Sequence, residues 1–205
     1  DRDPQRGLFD DDRITWVFDD ARRWLSANPD EKFDLIVMNS TYHWRSHTSM
    51  LLSRRFQEIA LSHLNDDGIY MFNATDSANV WATVLDVFPN VLRVYNAGFA
   101  SPSPITVDPD RWQRMLTQWS IYGRPVFDTT QPEQQQALDR IIELAARRGR
   151  GGPDDQMESD ASLRQRFSHW SHITDDTILG EHRYNVVPRS VWLGYGDARS
   201  NRWEE

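Results

Sequence analysis

Two short stretches of the sequence bring together side chains that can do chemistry. The first is Asn39-Ser40-Thr41-Tyr42-His43, an amide, two hydroxyls, a phenol and an imidazole, delivered by the apolar run Phe33 to Met38. The second is Asp19-Asp20-Ala21, which follows the β-rich run Ile14 to Phe18. A short apolar run such as 33–38 reads as a strand buried on both faces, and open α/β sheets bind their ligands at the carboxyl ends of the strands. On that reading Asp19 and Asp20 accept hydrogen bonds from the base or ribose of a nucleoside, with Asn39 and Ser40 close by. The local alternative is that the two aspartates only cap the helix that follows them, a position where Asp is favoured. Among the loop side chains the basicity is uneven. An amide takes up no proton, a phenol with a pKa of about 10 is a poor base, and only His43, with an ordinary value of about 6.5, titrates near neutrality.

The elements that must position these residues follow from periodicity. Strands are expected over 14–18 and 33–39, with a short helix over 20–28 between them that stops before Pro29. In 53–64, Phe56, Ile59, Ala60, His63 and Leu64 share one helical face, with Ser53 as cap. A turn at Gly68 leads into a strand over 69–75, a helix over 77–88 ends before Pro89, and one further strand is expected over 90–99. This β-α-β-α-β-α-β order predicts an α/β, Rossmann-like, mostly parallel sheet, with Asp20, Asn39 and Asn73 at one edge of it. After residue 100 the pattern turns helical. Asp108 and Pro109 open one helix; Thr130 and Glu133 form a capping box for another, whose face carries Leu138, Ile141, Ile142 and Ala145. The resulting division is a core over 1–107, a helical extension over 108–148, a flexible linker over the Gly- and Asp-rich 149–160, and a C-terminal segment over 161–205.

Composition narrows the function classes. A chain of 205 residues with net charge −8 and a single lysine, Lys32, lacks the clustered cations that nucleic-acid binding needs. No apolar run reaches the ~18 residues of a membrane span, and with no cysteine there is no disulfide framework or thiolate chemistry. A soluble, cytoplasmic domain is expected. Of nine tryptophans, Trp16, Trp24 and Trp81 lie in apolar patterns and are expected in the core. His43 and His47, and His169 and His172, have helical spacing, but the first pair sits in a predicted loop with no carboxylate triad at helical spacing, and no metal site is expected.

The run "DDRITWVFDDARRWLSANPDEKFDLIVMNSTYHW" resembles the middle of the spermidine synthases, the polyamine aminopropyltransferases. There a strand ends in Gly-Asp-Ala, a helix follows, and a "YDVII" strand delivers Asp-Ser-Ser/Thr-Asp-Pro. The similarity continues through "LLSRRFQEIALSHLNDDGIYMFNAT" and "VFPNVLRVY". In particular the sequence is similar to the spermidine-synthase-like domains fused to membrane segments, which share a "TYHWR" loop and a late segment like Ile173 to Arg183. The resemblance implies a class I S-adenosylmethionine-dependent fold whose first β-α-β unit is absent from these residues. It also implies S-adenosylmethionine or its decarboxylated form as cofactor, held by Asp19, Asp20, Ala21, Asn39 and Ser40, with Asn39, Tyr42 and His43 at the reacting end. The implied partners are a small-molecule substrate, membrane segments of a parent protein and a second copy in a homodimer.

The family's two loop aspartates fall on Asn39 and Tyr42. Carboxylates there would bind a cationic polyamine and take its proton, and an amide and a phenol do neither at neutral pH. Two expectations follow: a transferase whose acceptor is not a polyammonium, or a domain that keeps the fold as a sensing or interaction module without catalysis. The late cluster Asp175, Asp176, Glu181 and His182 reads as a solvated turn, as a lid over the cofactor site, or as a contact with the partner half of a dimer.

Overall fold

A computed structural model describes residues 9, 11–39, 49–74 and 77–178. Its centre is a five-stranded mixed sheet in the order β1-β2-β4-β3-β7, formed by β1 (Phe33–Met38), β2 (Leu64–Asn73), β3 (Asn90–Val94), β4 (Ala97–Ser101) and β7 (Met157–Glu158). The intervening β5 (Ser120–Ile121) and β6 (Arg124–Pro125) form a separate two-stranded ribbon. Six helices surround the strands: α1 (Ala21–Ala27), α2 (Arg54–Ser62), α3 (Ala78–Val87), α4 (Pro109–Gln118), α5 (Pro132–Ala146) and α6 (Asp160–Phe167). The α/β class therefore holds and is compatible with a Rossmann-like fold, but the sheet is mixed rather than mostly parallel. The parallel pairing lies at β1–β2, whereas β2–β4, β4–β3 and β3–β7 are antiparallel.

The helices begin where their caps dictate. Asp20, Ser53 and Ser77 each accept a hydrogen bond from the backbone N–H three residues on, and Asp108 accepts from Asp110 and Arg111 ahead of Pro109. The expected Thr130–Glu133 box does not form. Helix α5 starts at Pro132 behind Gln131, which makes no side-chain cap bond, because Thr130 is turned back to Asp128 by two hydrogen bonds of 2.6 and 3.0 Å.

One core lies under α2, α3 and α6 against the sheet, with Phe56, Tyr70, Phe72, Val80, Trp81, Phe88 and Leu163 among its members. Alternate residues of β3 face opposite sides: Val91 joins this core, while Leu92 joins a second cluster with Val107, Leu144, Ala145 and Met157. The second layer therefore covers the β3 end of the sheet. At the β1 end the corresponding face is bare, and Leu35 and Val37 are each 57% exposed.

That asymmetry corrects two expectations. Strand 33–38 is an edge strand with one covered face, not one buried on both. Residues 14–18 form no strand at all: Trp16, Val17 and Phe18 are exposed, and Trp16 stacks on Phe9 instead of entering the core. β-rich sequence becomes a strand only beside a partner, and among the described residues no strand pairs with the outer edge of β1. Trp24 is half-buried, and Trp81 alone of the three is buried in the core.

Three further differences have local causes. The run 90–99 is a hairpin rather than one strand, turning at Tyr95, whose φ of 53° is left-handed. The turn before Gly68 is absorbed as a bulge in a longer β2, since the register passes from Phe33↔Leu64 to Leu35↔Ile69. The stretch 149–160, linker-like in composition, supplies β7, with Met157 and Glu158 fully buried; α6 and Ile173 beyond it join the main core. No helix among the described residues is long and apolar enough to cross a membrane.

Gly98 is fixed by the core. It sits opposite Phe72 across β2–β4, and a Cβ there would lie 2.1 Å from the ring. The ring has no room to retreat, since Phe72 is fully buried with Tyr70 and Trp81 at centroid distances of 5.6 and 5.0 Å. Gly98→Ala is expected to destabilise by about 1–3 kcal/mol, read as a lower urea midpoint. An unchanged midpoint would show that the core can repack around the methyl.

Candidate functional site

The parallel strands β1 and β2 end level with one another, Met38 opposite Phe72. The next residues, Asn39 and Asn73, therefore meet at the carboxyl end of the sheet, and Asn73 Nδ2 donates to Asn39 Oδ1 at 3.2 Å. Asn73 is buried and Asn39 exposed. With its carbonyl oxygen engaged, Asn39 turns its amide NH2 outward as a donor. This is the opposite polarity to the carboxylate that the spermidine synthases place there.

Helix α1 brings the second group of residues to the same end. Its last turn lies at the start of the strands: His63, just before β2, has Nε2 3.1 Å from the Leu25 carbonyl and 3.2 Å from that of Asn28, and its own carbonyl accepts from Phe33 N–H at 2.8 Å. The helix consequently points its first turn, with Asp19, Asp20 and Ala21, toward the carboxyl ends of β1 and β2. As Asx cap, Asp20 accepts the Arg23 N–H at 2.9 Å through Oδ1. Asp19 Oδ1 accepts from the Asp20 N–H and from Arg23 Nε, at 2.6 and 2.7 Å. The capping role is thus realised for Asp20, while Asp19 braces the cap residue and the Arg23 side chain. It leaves Asp20 Oδ2 without a hydrogen bond among the described residues, on an exposed side chain. Ala21, the first residue of the helix, is exposed beside it. Ser40, Thr41, Tyr42 and His43 lie outside the described residues, as do Glu181 and His182.

The late acidic segment does more than turn in solvent. Arg22 Nη1 donates to Asp175 Oδ1 at 2.8 Å, and Nη2 donates to Oδ2, a bidentate pair across 153 residues of sequence. The Arg22 guanidinium holds the Asp175 carboxyl below its ordinary range against the opposing effect of burial, with a lesser contribution from Ser53. Ser53 is the cap of α2. Two residues before Asp175 the Ile173 carbonyl accepts the Arg54 N–H at 2.7 Å, so the segment reaches the first turns of both helices that flank the strand ends. Nothing in the spacing of Arg22 and Asp175 announces this pairing; the only signal is the compact acidic turn itself.

No protein-family model matches the chain. A polyamine aminopropyltransferase from Thermococcus onnurineus (strain NA1) is 32% identical over 106 residues, which cover 47% of this chain and 37% of that protein. The chain thus spans little more than a third of the relative it matches. This distant, partial likeness supports a spermidine synthase-like transferase family.

Proposed function

We propose that these residues form part of a spermidine synthase-like transferase site that takes S-adenosylmethionine or its decarboxylated form and passes a group to an acceptor that is not a polyammonium. The observation that carries this reading is the Asn39–Asn73 bond at the ends of β1 and β2, on the same end of the sheet as Asp20. The free Oδ2 of Asp20 suits the exocyclic amine or ribose hydroxyls of an adenosyl group. The outward NH2 of Asn39 suits an acceptor atom and repels an ammonium. When bound, the cofactor supplies a carbon activated by sulfonium. An acceptor held at the strand ends would give up its proton to a base of the chain as it takes the transferred group. His43 is the side chain of the loop best suited to take that proton near neutral pH. The described residues contain no glycine-rich turn for close backbone approach to the nucleoside. In this reading that part of the site is supplied from outside the described residues.

Asp20→Ala tests the reading. A carboxylate hydrogen bond to the nucleoside contributes about 1–3 kcal/mol, so the variant should bind 5′-methylthioadenosine roughly 5- to 150-fold more weakly by calorimetry. Equal binding by both proteins would remove Asp20 from the site.

A second reading, a sensing or interaction module without catalysis, is favoured by the engagement of Asp20 in capping and of Asp19 with Arg23. It predicts nucleoside binding without group transfer to any acceptor.

A further inference from the structure

Helix α1 has little of its own to hold it. At seven residues it is well below the length of about 12–15 at which an isolated helix is even marginal in water, and Leu25 is its one buried residue. Its carboxyl end is clipped by His63, whose Nδ1 is also tied back to the Ile59 carbonyl at 2.8 Å. Among the side-chain bonds of the described residues, its amino end, which carries Asp20, is held across the chain through Arg22 and Asp175.

Asp175 is itself well anchored. Ile173, two residues before it, is 2% exposed, donates its N–H to Thr83 Oγ1 at 2.8 Å, and accepts the Arg54 N–H at 2.7 Å, one of the helix-start donors of α2 that has no partner within the helix. Ile178, three residues after it, packs against the main core. Between these two anchors the Thr174 N–H donates to Thr177 Oγ1 at 2.9 Å, which closes the turn on which Asp175 is displayed. The Arg22 side chain is only 18% exposed, so its guanidinium has few alternatives to this carboxylate.

We propose that Asp175 is a positioning residue: it holds the first turn of α1 to a segment that Ile173 fixes at the start of α2, and so sets where Asp20 stands relative to Asn39. The segment Ile173–Ile178 is then a strap across the two helix starts rather than a free turn. The consequence for ligand binding rests on the reading of Asp20 given above; the consequence for α1 does not.

The test uses the full chain and two readouts. Hydrogen exchange of the Arg23 and Trp24 amides reports the fixation of α1, and calorimetry with 5′-methylthioadenosine reports the site. Asp175→Ala should speed exchange at both amides by roughly 5- to 30-fold while leaving β2 amides unchanged, and should weaken the nucleoside by a similar factor. Asp175→Asn, which keeps shape and loses charge, should fall between. The reversed pair Arg22→Glu/Asp175→Arg should recover part of both effects, which a general loss of stability would not allow. Unchanged α1 exchange in Asp175→Ala overturns the proposal, and so does faster exchange with unaltered nucleoside affinity. If neither the wild type nor Asp20→Ala binds the nucleoside, the reading of Asp20 fails, and the exchange result alone decides whether the strap holds α1.

Discussion

Alanine in place of Glu158 is expected to lower the folding free energy by about 3–5 kcal/mol, the range for breaking a buried ion pair from one side. The carboxylate is fully buried in β7, opposite Arg93 in the ladder. Its Oε2 accepts from Arg93 Nε at 2.7 Å and from Arg166 Nη1 at 3.1 Å, and its Oε1 accepts the Ser162 hydroxyl at 2.9 Å. Arg93 is 17% exposed, and its other donors are committed to the carbonyls of Tyr95, Pro153 and Asp155. Removing the acid therefore strands a guanidinium that cannot swing into water without releasing the 153–155 turn. The stranded charge, more than the lost attraction, sets the size of the effect. Glu158→Gln keeps the shape and one acceptor and should cost less. Urea unfolding checks both, and a loss below about 1 kcal/mol for the alanine variant would mean that water compensates Arg93 after all.

This triad also marks the limit of what the sequence makes legible. Local signals carry much of the fold: Ser53 and Asp108 cap the helices they precede, and the apolar runs of β1 and β2 pair in parallel, although the Thr130–Glu133 box yields to Asp128. The site follows from the same logic, since Asn39 and Asn73 are simply the residues after two neighbouring parallel strands. Failures come where a partner decides. Residues 14–18 have the composition of a strand and no neighbour to pair with, so Val17 and Phe18 stay exposed. The linker-like 149–160 has the opposite fate, because Arg93 at the edge of β3 captures Glu158 and recruits two residues as a strand. Neither Arg93–Glu158 nor Arg22–Asp175 leaves a periodic trace, for a pair 65 or 153 residues apart depends on the completed fold.

Aspartate at both Asn39 and Tyr42 is expected to raise affinity for putrescine by about 10²-fold or more. A hydrogen bond between charged groups contributes about 1.5–3 kcal/mol, roughly 10- to 150-fold for each carboxylate that reaches an ammonium. Position 39 is prepared for the change. Aspartate has the shape of asparagine, so one carboxylate oxygen can keep the bond from Asn73 Nδ2 while the other replaces the outward NH2. A repelling donor becomes an attracting acceptor with no movement of the backbone. Tyr42 lies outside the described residues, and its share rests on the family resemblance of the loop, so the single variants apportion the gain: Asn39→Asp alone should supply at least 10-fold. Turnover should lag behind binding. Charge suffices to hold a diamine, whereas proton transfer also demands a near-attack geometry. Aminopropyl transfer to putrescine and spermidine should therefore be absent from the wild type and small in the double variant, and His43→Ala in the double variant tells whether the imidazole is the base. Ready transfer by the wild type that survives loss of His43 would show that the amide at 39 and the phenol at 42 are no obstacle to a polyamine, and the proposed acceptor class would fall with it.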